Sequence, residues 1–191
     1  MSTKKNQDIT ELLQKVEKVT KEKKLDLSSG EDLSIGVMNL IAIEEHLFYT
    51  SQKTGKQSYL DLLNEIRIMR TDLMKEIIKD YEGEVWCISK HLLAASMRLM
   101  EVGTKELKKA VGAEPAEAEK QKKKAWSLFE KSYNLYSLFW GINLGVVETD
   151  NVKRKSSSVN LVDDKDSKSE QVSLFSKLGT IVQKAIDCCK E

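Results

Sequence analysis

The 191-residue chain sets 31 lysines and arginines against 30 acidic residues, a formal net charge of +1, so no overall field draws it to nucleic acid or to an anionic membrane. Its 40% hydrophobic and 32% charged residues make it too apolar for disorder throughout and more charged than an average globular chain, the balance expected of long helices with solvated outer faces. One proline and nine glycines force few breaks, so the chain is predicted to be all-α: an up-and-down helical bundle of four to five helices with a tethered C-terminal amphipathic helix.

The opening MSTKKNQDITELL has no apolar run behind its lysines and none of the arginines of a transit peptide, which predicts a cytoplasmic protein. Cys87, Cys188 and Cys189 suit a reducing compartment and read as thiols. In residues 1–30 the spacing of Ile9, Leu12, Leu13, Val16 and Val19 predicts a one-sided helix over about 8–24, then a turn. Ser28 and Glu31 form the pattern of a capping box, so the bundle core, 31–147, should open with a helix near Glu31 that is apolar around most of its circumference.

Thr54-Gly55-Lys56 is a turn, and Ser58 with Asp61 should cap a third helix to about 81, with Tyr59, Leu62, Leu63, Ile66, Met69, Leu73 and Ile77 as its stripe. A fourth helix, about 84–111, offers Val85, Ile88, Leu92, Ala95, Leu99 and Val102 as a seam. Pro115 suits the first turn of a fifth helix running to about 146, whose later half is aromatic from Trp126 to Trp140. Leu135–Val147 is the most apolar window but spans only thirteen residues, against roughly 20 for a membrane crossing, so no membrane span is expected and Gly141 and Gly145 read as sites of close helix packing.

Residues 148–168 are polar, with blocks of opposite charge, and read as a linker. Ser167 and Glu170 then cap an amphipathic helix over 169–191, whose stripe includes Val172, Leu174, Phe175, Leu178, Ile181, Val182 and Ile186. Such a face demands cover. The mildly basic opposite face favours protein over membrane, so Leu174, Phe175, Leu178, Ile181, Val182 and Ile186 are the predicted docking residues, on the chain's own bundle, on a protein partner or on a second copy.

Chemistry leaves fewer marks. The two histidines, His46 and His91, follow Ile43 and Ile88 by three residues, so no Glu-x-x-His metal pair exists and no metal or cofactor is expected. The standard glycine-rich phosphate cradles are absent from the sequence. Cys87 and His91 share a helix face at four-residue spacing, but without an orienting carboxylate or oxyanion hole Cys87 reads as a buried structural thiol. Lys120, Lys122, Lys123, Lys124 and Lys131 follow directly on Glu114, Glu117 and Glu119 in a chain of neutral balance, and read as a solvated face rather than a nucleic-acid site.

What stands out is Glu44, on an apolar seam where an unpaired carboxylate costs several kcal/mol as an order of magnitude and must find a cation. Arg67, Arg70, Lys90, His91 and Arg98 are the candidates. Two readings follow. The first is a non-enzymatic interaction or adaptor bundle, in which these charges fix helix register and the C-terminal helix does the docking. The alternative is a polar pocket of Glu44, Arg67, Arg70, Trp86, Lys90 and His91 that binds a small anionic ligand or acts on one.

Overall fold

The structure, a computed structural model, describes residues 2–23, 26–79, 84–147 and 177–182, with side chains in the first helix described from Ile9 to Glu22. Among these residues there is no strand. They form α1 (Ser2–Lys23), α2 (Leu27–Thr54), α3 (Ser58–Ile77), α4 (Glu84–Lys109) and α5 (Pro115–Asn143), followed by a helical segment at 177–182. The all-α bundle expected from the sequence is therefore the fold. The linker over 148–168 lies outside the described residues, as do Leu174, Phe175 and Ile186.

The helix ends follow local chemistry that the sequence reading placed differently. Asp26, not the Ser28–Glu31 pair, caps α2: its carboxylate accepts from the Ser28 amide at 3.1 Å and from the Ser29 hydroxyl at 2.6 Å. The helix thus starts at Leu27, and Gly30 lies inside it. Burial of that glycine is useful, because a Cβ there would sit 3.1 Å from the Trp140 ring. The α3 N-cap, Gln57, makes no side-chain capping bond, so Ser58 begins the helix without capping it, and the helix stops at Ile77 rather than near 81. Pro115 occupies the first turn of α5 as expected, and that helix ends at Asn143, three residues early, where Gly145 takes a φ of +67°.

Two antiparallel hairpins make the bundle, α2 with α3 around Gly55 (φ +68°) and α4 with α5 around Gly112 (φ +77°). The α4–α5 contact is the most extensive. It is also the one whose register the expected seam missed. The buried residues of α4 are Ser89, Leu92, Leu93, Ser96, Gly103 and Glu106, whereas Ile88 and Val102 are exposed. Small residues at 89, 96 and 103 recur every seventh position and let α5 come close: a Cβ on Gly103 would lie 2.6 Å from Phe129. The serine hydroxyls are not orphaned by this burial. Ser96 donates to the Ser132 carbonyl at 2.9 Å, Ser132 donates to the Ser96 carbonyl at 2.7 Å, and Asn143 donates to Ser89 at 3.0 Å.

One core joins both hairpins. Val37, Met74, Ile77, Ile78, Leu93, Phe139, Trp140 and Leu144 are each at most 2% exposed, and Val16 of α1 packs onto them. Side chains of this kind each contribute about 1.5–3 kcal/mol when withdrawn from water. Trp126 departs from the expected aromatic core. It is 73% exposed, one of several large apolar side chains toward the α4–α5 tip, with Met100, Leu107 and Val111. Leu62 and Met69 of α3 are likewise exposed, because the face of α3 that meets the core runs through Arg70, Met74 and Ile77.

Candidate functional site

The Glu44 seam resolves into discrete pairs. Arg70, 3% exposed as a residue, donates its Nε–H to the Glu44 carboxylate across the α2–α3 interface, and its Nη1 lies 3.2 Å from the Met74 sulfur. The neighbouring carboxylate, Glu45, pairs instead with Arg98 of α4 at the surface. Together these tie α2 to both flanking helices. The structure joins Glu44 to Arg70 among the six residues considered for a polar pocket. Arg67 and His91 face solvent, while Trp86 and Lys90 are half-buried on α4, Trp86 against the core. Cys87, expected to be buried, is exposed; the buried face of α4 runs through Ser89, Leu92 and Leu93, and Cys87 sits two residues, about 200°, around the helix from Ser89.

The C-terminal segment has a more definite setting. Leu178, Ile181 and Val182 are 1%, 2% and 5% exposed, and the last two belong to the same core cluster as Trp140 and Leu144. Ile181 and Val182 follow Leu178 by three and four positions, which puts all three on one helix face. The seat is cut into α5 by Gly141: a Cβ at that position would stand 2.6 Å from one methyl carbon of Leu178 and 3.1 Å from Val147. A second close approach lies beside it. Tyr133 donates its hydroxyl to the carbonyl of Gly179 at 3.1 Å, and its ring edge would be 3.3 Å from a Cβ on Gly179. Burial raises the Tyr133 phenol above its ordinary value near 10, so at neutral pH it remains a proton donor.

Val147 and Leu178 thus both stand over the same glycine, so the described residues on either side of positions 148–176 come to one place on the bundle. Three of the six docking residues expected from sequence, Leu178, Ile181 and Val182, are covered by the chain's own bundle. Sequence reading missed the receiving side. Gly141 and Gly145 read in sequence as sites of close packing; the fold makes the first a notch for Leu178 and the second the left-handed turn that ends α5. Gly179, an isolated glycine within an apolar helical pattern, was itself a signal of close approach.

On the other side of Tyr133 lies a cavity of about 380 Å³ between α2, α4 and α5. Met38, Met97, Met100 and Phe129 form its apolar walls, and Tyr136, bonded to Ser34 at 2.8 Å, closes one side. A second opening of about 240 Å³ near Asp26, Glu76 and Lys79 is backed by Trp140. Neither is lined by any of the six residues considered for an anionic pocket. Among the described residues no group of three or more histidine, cysteine, aspartate or glutamate side chains is placed to hold a metal ion, and no helix is long and apolar enough to cross a membrane. No protein-family model matches the chain, and no curated protein or solved structure matches it.

Proposed function

We propose that this protein is an interaction module, a helical bundle whose C-terminal helix is the docking element, held on its own bundle in the free chain and exchanged for a partner's helix in a complex. One observation carries the reading: a short helical segment places Leu178, Ile181 and Val182 in a seat that two close approaches, at Gly141 and Gly179, shape to receive it. A segment rejoining the bundle after 29 residues is far longer than the roughly 2–8 residues that connect neighbouring helices, which favours an element able to leave and return. The three thiols and the near-neutral charge suit a cytoplasmic setting.

Removing residues 168–191 is the direct test. The seat would then be open, and the truncated chain should bind an apolar dye or self-associate while keeping its helical circular dichroism. Leu178→Asp in the full chain should do the same, since a carboxylate cannot enter the Gly141 notch. Unchanged dye binding and oligomeric state in both, with helicity intact, would contradict the proposal.

A further inference from the structure

We infer that the α5 seat selects a docking helix by a two-residue step, a branched aliphatic side chain followed at once by glycine, so that the partner it fits is a helix carrying Leu-Gly with an Ile-Val pair three and four positions after the leucine. The inference rests on the docking reading and adds to it what the seat requires of any helix that enters.

Each part of the step has its own contact. The leucine position lies over Gly141, where a Cβ would stand only 2.6 Å from a Leu178 methyl carbon, so the missing side chain leaves the notch that Leu178 fills; a smaller residue leaves it empty, and a charged one would be desolvated without a partner. The glycine position faces Tyr133. There a Cβ would stand 3.3 Å from the ring edge while the tyrosine hydroxyl bonds the Gly179 carbonyl at 3.1 Å. That bond holds ring and helix together, so neither can withdraw freely. Alanine brings one atom to a tight distance. A β-branched or longer residue adds atoms where the phenol already is. The Ile-Val pair then completes the face, since both side chains join the core beside Trp140 and Leu144.

Helix propensity works against the selection, which makes it easy to recognise. Glycine is the poorest ordinary helix former, well below alanine, and valine lies between them. Replacing Gly179 should strengthen the free helix. If docking nevertheless weakens, the seat is the cause.

The experiment uses the full chain with Leu178→Asp, whose own segment is expelled, titrated with a fluorescent peptide of residues 169–191 and followed by anisotropy. The unaltered peptide should bind one-to-one; the peptide with Gly179→Val should bind at least about tenfold more weakly, and with Gly179→Ala within about threefold. Adding Gly141→Leu to the chain should abolish binding of all three. Should the Gly179→Val peptide bind as tightly as the unaltered one, the glycine requirement is overturned while docking stands. Should no peptide bind a chain that keeps its helicity, the docking reading itself falls, and this inference with it. A second measurement needs no expelled segment: in the otherwise unchanged full chain, Gly179→Val should raise the rate of tryptic cleavage after Lys177 about tenfold over the parent, and Gly179→Ala far less. Equal rates in the three chains overturn the inference.

Discussion

At the scale of single residues, the sequence shows where polarity is out of place but not how it is satisfied. Glu44 was recognisable as a carboxylate on an apolar seam, yet five cations stood within reach of it on paper. Helix rotation decided among them: Arg70 lies on the same face of α3 as Met74 and Ile77, which meets the core, while Arg67 points to solvent. The Arg70 and Glu44 side chains are 4% and 14% exposed, so they are withdrawn from water and depend on each other. Arg70→Met should therefore lower stability by about 3 kcal/mol, chiefly by stranding the carboxylate, and the double change Glu44→Leu with Arg70→Met should recover most of the loss. Urea denaturation of the parent and the two variants checks this. If the double variant were no more stable than the single one, the stranded charge would not be the cause.

At the scale of elements, composition and periodicity were enough to mark out five helices, because proline and glycine are scarce and the apolar period is clear. Ends and faces were harder. Asp26 outcompetes the Ser28–Glu31 pair for the α2 cap because its carboxylate takes two donors at once. The α4 seam was misread because its buried face is lined with Ser89, Ser96 and Gly103, residues that carry no hydrophobic signal and are valuable for their small size. A charged residue completes that same face. Glu106 holds Lys109 at 2.7 Å and Lys124 of α5 at 3.2 Å, fastening the α4–α5 tip. The Lys109 bond, helped by Lys124, lowers the Glu106 carboxyl below its ordinary value of 4.5 against the opposing effect of burial. A carboxylate lowered on folding adds stability above its unfolded value and loses it as pH falls through the lowered one. The melting-temperature gap between the parent and Glu106→Gln should accordingly be full at pH 7 and shrink steadily below about pH 4.5. A gap that does not change with pH would exclude this role.

At the scale of the whole molecule, the fold class was legible, and within the predicted C-terminal stripe the described positions Leu178, Ile181 and Val182 are buried, as apolar side chains on one helix face are expected to be. Their seat was not legible. Nothing in the linear pattern relates Leu178 to Gly141 or Gly179 to Tyr133, which only the return of the chain to the end of α5 brings together. The same limit applies to the cavity beside Tyr133, assembled from three helices and framed by methionines that resemble ordinary core residues in sequence.

The C-terminal segment at 177–182 sits on the bundle of its own chain. Amide hydrogen exchange of the full-length protein measures this most directly, read at Ile181 and Val182. The expected result is exchange at least about a hundredfold slower than in an unstructured peptide, and unchanged on tenfold dilution of the protein. Exchange at the unstructured rate, or protection that fades on dilution, would contradict it.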